Sequence, residues 1–188
     1  MNWNRIAEDV LAVTDEVLDR LQGPIEELAA ELAGRLRAGG KILVCGNGGS
    51  AADAQHLAGE LVNRFLKERR PYAGIALSTD TSVLTSIAND YAFAEVFEKQ
   101  VRALGRPGDA LIAISTSGNA ENVCRAARAA KDLGLLTVGL TGGSGGKLLP
   151  LVDRPLCVTS SGCTPRIQEG HQLIIHALCE RLEELLES

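Results

Sequence analysis

Two side chains that could exchange protons with a substrate, His56 and Glu60, lie four residues apart in the sequence. Residues 51–60 favour a helix, and on a helix this spacing places both side chains on one face. An imidazole beside a carboxylate could serve in general acid–base chemistry. Such pairs are also common on solvated helix surfaces, so this pair alone does not define a site.

A glycine-rich turn directly before this helix could bind an anion. Residues 46–49, Gly-Asn-Gly-Gly, follow a short apolar run at 42–45 that we predict as a buried strand, and Ser50 is predicted as the helix N-cap. Glycines let the backbone approach a ligand closely, and free N–H groups at a helix N-terminus attract phosphate. The spacing matches neither the dinucleotide-binding fingerprint nor the P-loop, and the turn has no lysine.

A second turn of this kind, Ser115-Thr116-Ser117-Gly118, lies between an apolar run at 110–114 and a predicted helix at 120–133. Its hydroxyl and backbone N–H groups can surround a phosphate without any lysine or arginine. Taken alone, the turn is slightly more typical of an ordinary capped helix. Both turns are expected at the edge of a parallel sheet where ligands bind, and this pairing favours a phosphate site.

The elements that must position these turns alternate along the chain. Apolar runs predict strands at residues 42–45, 74–77, 110–114, 135–140 and 155–158. Helical patterns lie between them, including one from 51 that should continue to about Leu66, and a last helix opened by Thr164-Pro165. The alternation predicts a three-layer α/β/α fold around a five-stranded parallel, flavodoxin-like sheet.

Two further helices are predicted before the first strand, within residues 4–38, with a break at Gly23-Pro24. A small sheet does not need both of them as cover, so we expect one to pack against another subunit. The chain has 188 residues, without a linker or an internal repeat. We therefore predict a single domain over 1–188, with 1–38 serving oligomerisation.

Composition restricts the classes of function. The net charge of −5 argues against a nucleic-acid surface, which would be basic, and the basic stretch 67–70 is expected to be a solvated helix end. Five widely spaced cysteines without a Cys-x-x-Cys motif suit a reduced cytoplasm. No apolar run approaches the ~20 residues of a membrane span, and we see no signal segment. We expect a cytoplasmic protein without nucleic-acid or membrane partners.

Together these motifs resemble the sugar-isomerase (SIS) domain and, within it, the phosphoheptose isomerase family. The SIS resemblance rests on both turns, with Asn119 closing the second, and on Arg166-Ile167-Gln168-Glu169. The narrower one rests on residues 50–56, Ser-Ala-Ala-Asp-Ala-Gln-His, on Glu60, and on His176 eight residues after Gln168. The resemblance covers essentially the whole chain, including the N-terminal helices.

The resemblance implies an aldose–ketose isomerase that converts sedoheptulose 7-phosphate to D-glycero-D-manno-heptose 7-phosphate through an enediol, at the start of ADP-heptose biosynthesis. It implies Glu60 as the base and His176 as the acid. It also implies a homotetramer with sites at subunit interfaces, and one zinc ion per subunit held by His56, Glu60, Gln168 and His176. The implied substrate contacts are Asn47, Gly48, Gly49, Ser50, Glu60, Asn89, Asp90, Ser115, Thr116, Ser117 and Gln168.

Helix geometry constrains the implied zinc site. At ~1.5 Å per residue, Gln168 and His176 lie ~12 Å apart along a helix axis, so both would have to lean toward the metal. Two positions depart from the family pattern: Ala120 replaces a frequent serine, and Pro165 a frequent acidic residue. One contact to phosphate and one to a sugar hydroxyl would therefore differ. His171 is expected at the surface or in a supporting role.

Two other interpretations remain open. A non-catalytic SIS protein that binds a protein partner is one, because residues 87–90 and 99–105 also resemble the DnaA initiator-associating protein. That relative lacks the carboxylate and the last histidine, whereas Glu60 and His176 are present here, which favours an enzyme. The other is a pentose-phosphate isomerase, which the absence of an appended regulatory domain disfavours.

Overall fold

The computed structural model describes residues 1–187, so Ser188, the end of the predicted domain, lies outside the described residues. Within residues 1–187, five parallel strands form one sheet in the order β2-β1-β3-β4-β5. The strands are β1 (Ile42–Gly46), β2 (Gly74–Ala76), β3 (Ala110–Ser115), β4 (Leu136–Gly142) and β5 (Arg154–Val158). This order is that of a flavodoxin-like sheet and confirms the predicted fold class.

Seven α-helices surround the sheet in the described part of the chain. They are α1 (Trp3–Asp15), α2 (Gln22–Arg37), α3 (Gly49–Val62), α4 (Thr81–Asp90), α5 (Val96–Leu104), α6 (Glu121–Asp132) and α7 (Thr164–Leu186). Shorter helical turns occur at Glu16–Arg20, Phe93–Glu95 and Leu149–Leu151. None of the helices between residues 1 and 187 combines the length and apolar content that a membrane span requires.

The core divides into two apolar layers, one on each face of the sheet. Helices α1, α2, α3 and α7 cover the face that buries Val44 and Ile112. Helices α5 and α6 cover the opposite face, where Leu43 and Leu111 are buried. Successive strand residues point to opposite faces, so a continuous apolar run serves both layers.

The N-terminal helices break at a different place from the predicted one. A π-helical turn at Glu16–Arg20 follows α1, and α2 already begins at Gln22. The interruption therefore precedes Gly23-Pro24. The π turn lets Glu16 reach the loop between β5 and α7, where its carboxylate accepts hydrogen bonds from the backbone N–H groups of Thr159 and Ser160.

The predicted continuation of α3 to Leu66 is wrong, because the helix ends at Val62. The carboxylate of Glu183 on α7 accepts hydrogen bonds from the N–H groups of Phe65, Leu66 and Lys67 and so holds the chain as a loop. The stretch 67–70 is likewise not a solvated helix end. Arg69 lies buried in an ion pair with Glu183, with an N–O distance of 3.1 Å.

Candidate active site

The two predicted anion-binding turns meet at one edge of the sheet. Strands β1 and β3 are neighbours, with Gly46 beside Ile114, so the turns that follow them lie side by side. They line a cavity of about 170 Å³, formed by Asn47, Ser50, Ile114, Ser115, Thr116, Ser117 and Ala120. The N-termini of α3 and α6 begin beside it, and the positive ends of their dipoles favour an anion there.

The first turn starts its helix two residues earlier than expected. Gly48, not Ser50, is the N-cap of α3, with φ 55° and ψ −121°. Residues with a side chain rarely adopt this backbone conformation, so the position favours glycine. Ser50 consequently lies inside the first turn of α3, buried at the wall of the cavity, where it presents a hydroxyl instead of capping the helix.

A half-buried amide pair joins the two turns and was missed by the sequence analysis. Asn47 and Asn122 exchange hydrogen bonds between their side-chain amides, each 2.8 Å long. Asn122 also accepts from the N–H of Val123. Asparagine in the first turn of a helix is common, so no local signal pointed to this partnership. The pair fixes the Asn47 side chain beside the cavity.

A second cluster lies further along α3, where this helix packs against α7. The Nε2 atoms of His56 and His176 lie 2.9 Å apart, and His56 Nε2 is 3.7 Å from Glu60 Oε1. The rings of Phe65 and His176 pack with centroids 5.6 Å apart. The side chains of His56 and Glu60 are 38% and 22% exposed, so a ligand can reach them. The predicted acid and base thus gather around His56 within one chain.

Gln168 lies elsewhere along the same helix pair. Its Nε2 donates to Asp53 Oδ1 at 3.1 Å, and its amide rests against Gly49 at the start of α3. Helices α3 and α7 run side by side in the same direction, so Gln168 is level with the first turn and His176 with His56. At ~1.5 Å per residue the two levels are ~10–12 Å apart.

The remaining predicted contacts do not all reach the cavity. Asn89 and Asp90, at the end of α4, line a separate open depression of about 650 Å³ on the exposed side of that helix. The Asn89 amide there donates to the Asp90 carboxylate at 2.8 Å. Ala120 does line the 170 Å³ cavity between the two turns, where it contributes a methyl group in place of a hydroxyl. Pro165 is exposed in the first turn of α7.

The residues fit the predicted zinc ion in part. Two imidazole nitrogens and a carboxylate are donors that zinc accepts readily. Gln168, however, is engaged with Asp53, and among residues 1–187 no group of three or more His, Cys, Asp and Glu side chains is arranged to hold a metal ion. The zinc set stays a prediction, in which Gln168 would offer the metal its amide oxygen, because its nitrogen donates to Asp53.

Buried titratable groups support the site without reacting in it. His171 is fully buried, and its Nε2 bonds to the Thr141 carbonyl at 2.9 Å, which ties α7 to the end of β4. Burial lowers the pKa of His171, although the Thr141 carbonyl and Asp53 oppose this. His171 therefore lies in the core in a supporting role and not at the surface. Burial also raises the pKa of the Cys45 thiol to about 12, so this residue is not a nucleophile.

Glu16 anchors the loop that leads into α7. Besides the two backbone N–H groups, it accepts from the Thr159 hydroxyl at 2.6 Å, and it pairs with Arg20. Burial alone would raise the pKa of Glu16, but hydrogen bonds from Ser160 and Thr159 outweigh it and lower the pKa from 4.5 to about 2. The N-terminal helix is thereby fastened to the element that carries Gln168 and His176.

Comparison with known proteins agrees with these features. The family model of the SIS domain matches residues 6–142. Over 186 residues the chain is 54% identical to the phosphoheptose isomerase of Aromatoleum aromaticum, covering 97% of this chain and 93% of that protein. The phosphoheptose isomerase structure from Francisella tularensis superposes with a TM-score of 0.92 at 40% identity over 96% of both chains. The one from Neisseria gonorrhoeae gives 0.87 at 45% identity over 96% of both.

Proposed function

The chain belongs to the phosphoheptose isomerase family of SIS-domain enzymes, and from this membership we propose that it converts sedoheptulose 7-phosphate to D-glycero-D-manno-heptose 7-phosphate, the reaction that begins ADP-heptose biosynthesis. The relatives support a sugar-phosphate isomerase. The observation that carries the finer proposal is that one helix, α3, borders a hydroxyl-lined cavity at its start and bears a His–Glu pair further along.

The spacing of these two groups suits a long sugar phosphate. From Ser50 to His56 the helix rises ~9 Å. A seven-carbon chain with C–C bonds of ~1.5 Å and a terminal phosphate has an extended length of the same order. We place the phosphate between the turns after β1 and β3, where hydroxyls and helix N-termini stabilise its charge. The carbonyl end then lies beside the histidines.

The chemistry moves a proton between two adjacent carbons through an enediol. Glu60 is the base that removes the proton from one carbon and returns it to the next. His176 exchanges a proton with the substrate oxygen. Because two imidazole nitrogens 2.9 Å apart can share only one proton between them, His56 influences which nitrogen of His176 is protonated. His56 is thus an orienting partner.

We further propose one zinc ion per subunit, held by His56, Glu60, His176 and Gln168. The two adjacent imidazole nitrogens and the nearby carboxylate support it. A bound zinc ion would supply positive charge beside the oxygen that gains negative charge. Metal analysis of protein purified without a chelator tests this. His56→Ala should lose the zinc, and a metal-free wild-type protein would contradict the proposal.

We also propose a cytoplasmic homotetramer whose subunits each form a single SIS domain over 1–188 and meet partly through residues 1–38. Trp3, Leu11 and Leu18 are 70%, 61% and 56% exposed, which supports a covered apolar face in the assembly. Asn89 and Asp90, apart from the cavity in one chain, could complete the site of a neighbour. All five cysteines are free thiols, in keeping with a reducing compartment.

Incubation with sedoheptulose 7-phosphate, followed by detection of the aldose product, tests the proposed reaction. Ribulose 5-phosphate serves as a shorter comparison substrate, and Glu60→Gln is the inactive control. Turnover of the heptose in preference to the pentose is the expected result. Tight binding of the sugar phosphate without any turnover would instead favour the non-catalytic, partner-binding interpretation.

A further inference from the structure

We propose that Asp53, which takes no part in the chemistry described above, positions the Gln168 amide so that its oxygen faces a substrate hydroxyl. The inference rests on the proposed function, because it concerns the same site. Asp53 lies on α3 between the glycine-rich turn and His56, and it is 1% exposed. The sequence analysis included it in the motif at residues 50–56 but assigned it no role.

One carboxylate on α3 holds two amides on α7. Asp53 Oδ1 accepts hydrogen bonds from Nε2 of Gln168 and from Nε2 of Gln172. The two glutamines are four residues apart, so they share the face of α7 that is packed against α3. The contact is therefore a fixed junction between the helix that starts at the first anion-binding turn and the helix that carries His176.

The chemistry of the carboxylate determines which way the Gln168 amide points. A carboxylate only accepts hydrogen bonds, so the amide nitrogen must face Asp53 and the amide oxygen must face away. Among residues 1–187 no group donates to Gln168 Oε1, and the side chain is half-buried. Asp53 thus leaves a free acceptor beside the turn, suited to a sugar hydroxyl.

The space beside Gly49 is a second and independent sign that the Gln168 amide has a defined position. A Cβ on Gly49 would meet both the oxygen and the nitrogen of the Gln168 amide, the nitrogen at 2.5 Å, too close for the amide to keep its place. The backbone of Gly49 does not lie in the left-handed region, so a side chain there would disturb the Gln168 amide and not the backbone. The turn that leaves space for the Gln168 amide is the same turn that lines the anion-binding cavity.

Stability alone does not account for Asp53. Its second oxygen, Oδ2, is buried and has no hydrogen-bond partner in the described part of the chain. Burying a carboxylate costs free energy, which the two hydrogen bonds from Gln168 and Gln172 only partly offset. Natural proteins bury unfavourable polar groups of this kind mainly at functional sites. This contrast separates a positioning role from a structural one.

Steady-state kinetics with a double-mutant cycle tests the proposal. Asp53→Ala and Gln168→Ala should each raise KM for the heptose phosphate about tenfold, as the loss of one hydrogen bond would. The double variant should be no worse than either single variant, because both remove the same contact. Asp53→Asn keeps an acceptor oxygen and should restore KM to within about threefold of wild type. Multiplying effects, or an unchanged KM in Asp53→Ala, would overturn the proposal.

Two further measurements keep the test decisive. If Asp53→Ala fails to fold, Gly49→Ala displaces the same amide, and a KM equal to that of wild type would overturn the proposal. If the wild type turns over no heptose phosphate, the proposed function fails, and NMR of the Gln168 side-chain NH₂ protons decides the positioning role separately. Slow proton exchange in wild type that becomes fast in Gly49→Ala supports it, and fast exchange in wild type refutes it.

Discussion

Glu183→Ala is expected to remove the fastening that holds the loop after α3 against α7. The carboxylate of Glu183 accepts from three backbone N–H groups and from Arg69 Nε. Arg69 in turn donates to the carbonyl groups of Leu61 and Glu60 at the end of α3. The side chains of Arg69 and Glu183 are 4% and 2% exposed, so water cannot replace the lost partner.

The expected loss of stability in Glu183→Ala follows from the burial of this ion pair. Removing one member of a buried ion pair costs about 3–5 kcal/mol, because the remaining charge stays uncompensated. The three N–H groups add to the loss wherever the loop remains buried. Against a typical free energy of unfolding of about 5–15 kcal/mol, the variant would lose a large fraction of its stability. Because Phe65 packs on His176, turnover should fall as well.

Urea unfolding followed by circular dichroism measures the loss. The matched control is Glu184→Ala, one residue away: Glu184 is 46% exposed and pairs with Arg181 at 2.8 Å. Its removal should change the free energy of unfolding by less than about 1 kcal/mol. If Glu183→Ala also stays within 1 kcal/mol of wild type, the fastening role assigned to Glu183 is refuted.

The pH dependence of the free energy of unfolding gives a second test of the role assigned to Glu183. Burial alone would raise the pKa of Glu183, but the N–H groups of Phe65, Lys67 and Leu66, together with Arg69, lower it overall. A carboxyl whose pKa is lowered by folding stabilises the protein above its ordinary pKa. This contribution is lost as the pH falls through the folded-state pKa. The difference between wild type and Glu183→Ala should therefore shrink in acid.

Three other outcomes are expected. Glu60→Gln should lower kcat by about 10²–10⁴ while calorimetry still detects sugar-phosphate binding, and near-normal turnover would exclude Glu60 as the base. Ser115→Ala combined with Ser117→Ala should raise KM for the phosphorylated sugar, whereas an unchanged KM would place the phosphate elsewhere. Glu16→Gln should lower the Tm at neutral pH, with the deficit shrinking as the pH falls from 4.5 to about 2. A deficit that is constant across this range would contradict the role given to Glu16.

The sequence determined those parts of the protein that depend on local pattern. Continuous apolar runs predicted the strands, glycine and hydroxyl residues marked the two turns, and a spacing of four residues placed His56 and Glu60 on one helix face. The meeting of the turns at one sheet edge also followed, because carboxyl ends of parallel strands share an edge. These features arise from residues near one another in the chain.

Only the tertiary structure decided the contacts between distant segments. His56 and His176 are 120 residues apart, and their nitrogens meet because α3 and α7 pack side by side in one relative register. The same register gives Asp53 its two amides and buries Arg69 against Glu183. A shift of one helix along the other would leave every local pattern unchanged and break all of these contacts. Register between packed helices is set by the fit of many side chains at once, which local periodicity does not encode.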